Sequence, residues 1–142
     1  MIILNKQKKV RLTLRPLQNF ALSSLRELKL KPDSLAIAFV TDLEIARLNK
    51  TYRRKSRPTD VLSFPAPQPS KQKKRNRFIG DIAIAPAVAR RYAKKNGRTL
   101  ENEICILILH GILHLLGYDH ETDRGQMDRI ELKLRRKLGL QP

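Results

Sequence analysis

The sequence predicts an α+β fold: one domain over residues 1–142, with a mixed sheet of about four strands and helices arranged around a central buried helix. Three observations predict it. A chain of 142 residues can bury one core without staples. Strand-like and helix-like patterns follow one another in mixed order, with no repeat at periods of about 20 to 50 residues. The longest apolar stretch, Ile104 to Leu116, is too long for a strand and short of the roughly 20 residues a membrane span needs.

Taken in order, Val10, Leu12 and Leu14 alternate with Arg11, Thr13 and Arg15, which predicts a half-buried strand. Pro16 suits the start of a helix running towards Leu28. Ser34 to Val40 is the second strand. Thr41 with Glu44 three residues on is a capping-box pattern opening a helix through Tyr52. Asp60 to Phe64 reads as a short strand, stopped by Pro65, Pro67 and Pro69. Pro65 to Arg77 lacks apolar periodicity and reads as an exposed basic loop, either solvated or in contact with RNA. Phe78 to Ala85 is the fourth strand, and Pro86 begins a helix that Gly97 caps. Thr99 caps the next helix, Leu100 to Leu116, which is apolar on most faces and so belongs in the core. Gly117 ends it. Thr122 is the expected cap of a last amphipathic helix reaching Leu138, with Gly139 beyond.

Thirty Lys and Arg against 13 Asp and Glu give a net charge of +17, above the magnitude of about 2 to 8 that keeps a small domain soluble. Such a chain should seek a polyanion, nucleic acid or nucleoprotein. An acidic membrane is the competitor, yet no basic amphipathic helix sits beside a lipidation signal. Cys105 is the single cysteine, which excludes an internal disulfide framework and fits a reducing cytoplasm. Met1 to Val10 places apolar residues before Lys6, Lys8 and Lys9, the wrong order for a signal peptide.

All three histidines fall in one window, His110-Gly-Ile-Leu-His114-Leu-Leu-Gly117-Tyr-Asp-His120. Residues four apart on a helix are offset by only about 40°, so His110 and His114 project from one face, where two imidazoles can share a metal. Gly117 can turn the chain back to bring His120 to the same ion. Three histidines leave one tetrahedral position open, the arrangement of catalytic zinc, and point to a hydrolase. The competing reading is a set of core histidines. Closure of a structural site by Cys105 is disfavoured, since Cys105 is rotated by about 140° from His110.

The spacing matches the metzincin pattern except that Gly111 replaces the water-activating glutamate, which argues against a peptidase of that kind. Another carboxylate must then serve. Asp119, Asp81 and Glu121 are candidates, and Asp119 could equally orient a histidine or stabilise the turn.

Four blocks in this order resemble the YbeY family of bacterial ribosomal-RNA maturation factors, metal-dependent endoribonucleases. They are Leu48-Asn49-Lys50-Thr51-Tyr52-Arg53, Pro58-Thr59-Asp60-Val61-Leu62-Ser63-Phe64-Pro65, Gly80-Asp81-Ile82 and the histidine window. The resemblance runs from about Phe39 to the C-terminus; the first 35 residues are read from periodicity alone. It implies an α+β fold, one zinc ion on His110, His114 and His120, and cleavage of single-stranded RNA. The implied role is maturation of the 3′ end of small-subunit (16S) ribosomal RNA and ribosome quality control. It further implies an RNA-handling arginine at Arg53, where a guanidinium could clamp a phosphate bidentately. Arg53 and Asp119 are thus the catalytic candidates, and ribosomal RNA and the small ribosomal subunit the expected partners. The basic Pro65 to Arg77 segment and the high net charge depart from the usual family pattern. An assembly factor with a mainly structural metal and little cleavage is the alternative.

Overall fold

The structure, a computed structural model, describes residues 1–53, 59–67, 77–119 and 121–140. Its sheet has the order β1-β2-β4-β3. β1 (Ile2–Asn5) runs parallel to β2 (Leu35–Phe39), and β2 parallel to β4 (Gly80–Ile84). β3 (Val61–Pro65) is antiparallel to β4. The helices are α1 (Leu14–Glu27), α2 (Asp42–Arg53), α3 (Pro86–Lys95), α4 (Leu100–Leu115) and α5 (Gln126–Lys137). The architecture is the α+β arrangement expected, with a mixed four-stranded sheet.

Strand alternation decides which face meets which helices. Leu35, Ile37 and Phe39 of β2 and Ile82 and Ile84 of β4 form one core with Leu17, Ala21 and Leu25 of α1 and Ile104, Ile108 and Ile112 of α4. On the other face the small residues Ala38 and Ala83 leave room for Ile45 and Leu48 of α2, with Leu62 and Val88 alongside. Leu109 and Leu113, on the far side of α4, meet Met127 and Leu134 of α5. α4 therefore lies between the sheet and α5, which is why its sequence is apolar nearly all round.

Two expectations are corrected. Val10 to Leu14 is not a strand. The Gln7 side chain donates to the Val10 carbonyl and accepts from the Val10 amide, each at 2.9 Å, so both backbone groups that a ladder would use are taken. The helix begins directly after, at Leu14. Pro16 is accommodated in the first turn, where the missing N–H has no helical acceptor. The first strand is instead Ile2–Asn5 at the sheet edge. Thr122 does not cap α5. The Asp123 carboxylate does so, accepting from the Gly125 and Met127 amides, both at 2.8 Å.

The other caps stand as read. Thr41 Oγ1 accepts from the Glu44 amide at 3.1 Å, although the Glu44 carboxylate bonds Arg47 rather than returning to the cap. Thr99 Oγ1 accepts from the Asn102 amide at 3.1 Å. Most of the basic segment, residues 68–76, lies outside the described residues. Among the described residues, no helix is long and apolar enough to cross a membrane.

Candidate metal centre

His110 and His114 stand one turn apart on α4, their rings 4.5 Å apart between centroids and inclined at 81°. Their Nε2 atoms face each other at 2.9 Å. Each Nδ1 is turned to an oxygen: His110 to Glu131 Oε1 at 3.0 Å, and His114 to the Tyr118 carbonyl at 2.9 Å. A carbonyl or an ionised carboxylate can only accept, so each Nδ1 donates, which leaves Nε2 as the nitrogen able to offer a lone pair to a metal.

The local sequence builds both supports. Gly117, with φ of +98°, reverses the chain after α4, and the Tyr118 amide returns to the Leu113 carbonyl at 3.1 Å. That reversal carries the Tyr118 carbonyl to His114. Glu131 comes from α5, which docks on α4 through Met127 and Leu134. Its second oxygen accepts from Arg135 at 3.1 Å, and the Glu131 and Arg135 side chains are only 12% and 15% exposed. Arg135 thereby fixes the carboxylate that fixes the ring.

Two imidazoles whose Nδ1–H groups are held by oxygens, with both Nε2 atoms turned to one point, are a donor set suited to zinc or another divalent transition metal. A tetrahedral zinc with Zn–N bonds of about 2.0–2.1 Å sets its nitrogens about 3.3 Å apart, so a small opening of the pair would suffice. His120, the third expected ligand, lies outside the described residues. Among the described residues no three His, Cys, Asp or Glu side chains gather as a metal site.

Gly111 has a packing reason to lack a side chain. A Cβ there would meet Ile82 Cδ1 at 2.8 Å, and Ser63 Oγ donates to the Gly111 carbonyl at 3.3 Å. The position at which a metzincin carries its glutamate is here the contact between α4 and the sheet.

The remaining candidates come from outside α4. Asp119 is engaged in the turn: its carboxylate accepts from the Glu121 amide at 3.0 Å, and its carbonyl from the amides of Thr122 and Asp123. Asp81 is exposed on β4, and its neighbour Ile82 faces α4, so Asp81 belongs to the opposite sheet face. Glu121 is exposed. Arg53 is the last residue of α2, and its side chain lies outside the described positions. Cys105 is core as expected, with burial pushing its thiol up to about 12.

Two carboxylates near the histidines escaped the sequence reading. Glu131 lies 21 residues beyond His110, and locally it shows only an i,i+4 pairing with Arg135, a pattern common on any exposed helix. Asp60 lies just before β3, within the field of His110. Burial raises its carboxyl above the usual range, while the amides of Asp60 and Val61 and the charge of His110 partly offset that.

A sequence profile described as Endoribonuclease YbeY matches residues 2–139. Proteins named Endoribonuclease YbeY are similar to this chain in several bacteria. The one from Solibacter usitatus is 50% identical over 99 residues, covering 70% of this chain and 62% of that protein. The one from Aquifex aeolicus is 43% identical over 119 residues, covering 84% and 77%, and that from Myxococcus xanthus 42% over 128, covering 89% and 44%. The chain thus spans less than two thirds of the Solibacter and Myxococcus proteins. The solution structure of TM1509 from Thermotoga maritima superposes with a TM-score of 0.63 at 27% identity, over 97% of this chain and 89% of that one. A profile match running from the first strand to beyond the last helix, joined to a shared fold, establishes that the chain belongs to the Endoribonuclease YbeY family.

Proposed function

We propose that this chain is a zinc-dependent endoribonuclease specific for single-stranded RNA. On this reading it acts in the cytoplasm on ribosomal RNA, in 3′-end maturation of the small-subunit (16S) RNA and in ribosome quality control, in contact with the small ribosomal subunit. The observation that carries the reading is the His110–His114 pair, with both Nδ1 protons committed to oxygens and the Nε2 atoms 2.9 Å apart. The names of the similar proteins supply the substrate class, and the net charge of +17 supplies attraction to a polyanion.

One zinc ion per chain would be held by His110, His114 and His120. Zinc bound there supplies a Lewis acid for a phosphoryl oxygen and lowers the pKa of a water towards about 7. The protein groups do the rest. Glu131 and the Tyr118 carbonyl keep protons on the two Nδ1 atoms, so that both Nε2 atoms stay available as ligands. Arg135 holds Glu131 in place. Asp119 braces the turn that leads to His120. Arg53 is assigned to grip the substrate phosphate through its guanidinium fork, orienting it and offsetting charge on its oxygens.

The test compares cleavage of a single-stranded ribosomal-RNA fragment and of its duplex by the wild type and by His114→Ala. The reading expects cleavage of the single strand alone and a loss of roughly 100-fold or more in the variant, on the scale of removing a group that acts in the transition state. Equal cleavage by a folded His114→Ala protein would overturn it.

A further inference from the structure

α5 presents two sides of opposite chemistry. Met127 and Leu134 are buried against α4, and Glu131 reaches His110 on that same side. At about 100° per residue, Arg129, Lys133 and Arg136 stand roughly 140–160° round the helix from Glu131. Together with Leu132 and Lys137 they line one shallow surface depression, and among the described residues no acidic one lines it.

The charge on this side is little compensated. Lys137 pairs with Glu27 at 2.9 Å, and Arg129 leans on the Arg124 carbonyl at 3.3 Å. Among the described residues, neither Lys133 nor Arg136 has an acidic side-chain partner. The acids of α5 itself, Asp128 and Glu131, lie on the other half of the helix. Solubility needs only interspersed charge of both signs, and a face of one sign carries a self-repulsion that a bound polyanion relieves.

We propose that the outward face of α5, formed by Arg129, Lys133 and Arg136, is a second RNA-binding surface that grips the phosphate backbone of a single strand at a distance from the histidine centre. The proposal rests on the reading that the chain acts on RNA. The three residues follow one another at four and three positions, a rise of about 6 Å and then 4.5 Å, so their cations form a track along the helix. Among the described residues no aromatic one lines the depression, so contact is to phosphates and independent of base sequence. Because this face points away from His110, only a strand long enough to pass round α5 can occupy both. The surface should therefore matter for long substrates and not for short ones.

The test is binding by fluorescence anisotropy across salt concentrations, with single strands of about 6 and about 25 nucleotides, the span over which a single-strand site is filled and exceeded. The variant Arg129→Gln/Lys133→Gln/Arg136→Gln is compared with Lys31→Gln/Lys94→Gln/Lys95→Gln, which removes the same three charges from exposed positions elsewhere. With about 0.7 counterion released per phosphate contact, the α5 variant should lower the salt slope for the long strand by about 2 and weaken binding roughly 10-fold or more. The control variant should leave the slope within about half a unit, and cleavage of the short strand should be unchanged in both. Should the triple substitution disturb folding, as read by thermal unfolding, the three single variants each carry about a third of the slope change. Equal weakening by the two triple variants would overturn the proposal, leaving net charge as the cause. So would a loss of binding to phosphatidylserine vesicles with RNA binding intact. A wild type that neither binds nor cleaves RNA would overturn the RNA reading itself, an outcome visible before any variant is compared.

Discussion

His110 and His114 meet Nε2 to Nε2 at 2.9 Å because each ring is held from behind, one by Glu131 and the other by the carbonyl of Tyr118. The pairing of the two rings is thus a property of three segments, α4, the turn at Gly117 and α5, and each can be tested separately.

Replacing Glu131 by Gln removes the charged acceptor of His110 Nδ1–H and the partner of Arg135. Loss of such an outer partner typically costs 10–100-fold in metal affinity. Competition with a chromophoric chelator should show a drop in zinc affinity of about that size, with the fold retained by circular dichroism. An unchanged affinity would remove Glu131 from the account.

Gly111 marks where α4 touches the sheet. In Gly111→Ala the added Cβ presses on Ile82, an overpacking cost of about 1–3 kcal/mol, against about 1 kcal/mol gained in helix propensity. Denaturant unfolding should find a net loss of roughly 0–2 kcal/mol. Gly111→Glu, which restores the peptidase pattern, should cost considerably more and confer no activity on unstructured polypeptides. A well-folded Gly111→Glu variant with peptidase activity would refute the packing explanation.

These contacts show where the sequence was legible. The helical spacing of His110 and His114 and the breaking role of Gly117 are local, so they could be read directly; the caps at Thr41 and Thr99 were local too. Ile2–Asn5 escapes a periodicity reading because an edge strand of consecutive apolar residues shows no alternation, and Val10 to Leu14 misleads because its alternation is real while Gln7 takes both backbone groups of Val10 and α1 begins at Leu14. Glu131 reaches His110, and Asp60 comes within the field of His110, only through tertiary packing, which no window of sequence displays.

Asp60 should set a pH dependence of stability. Burial raises its carboxyl in the folded state, so the folded protein binds this proton more tightly than the unfolded chain does. Stability attributable to Asp60 therefore falls as pH rises through the folded pKa and is recovered as pH falls towards the ordinary carboxylate value of about 3.9. Asp60→Asn keeps an acceptor for the surrounding amides and abolishes the titration. In metal-free protein it should raise the melting temperature at pH 7 relative to wild type, with the gain shrinking towards pH 4. A gain independent of pH would show that the carboxyl is not the cause.

Cys105 is 4% exposed, with its thiol pushed up to about 12, so almost no thiolate is present at neutral pH and the sulfur is shielded. Ellman's reagent should react with the native protein at least about 100-fold more slowly than with the denatured chain, in line with the thiolate fraction lost. Rapid labelling of native protein would mean that the α4 core opens.

The histidine window is expected to hold a metal. The most direct test is titration of metal-free protein with cobalt(II), read by visible absorption, followed by displacement with zinc and by elemental analysis. Saturation is expected at one ion per chain, with the absorption of a tetrahedral nitrogen-ligated site that is abolished in both His110→Ala and His114→Ala. Saturable tetrahedral binding that survives both substitutions, or no binding by the folded wild type, would contradict it.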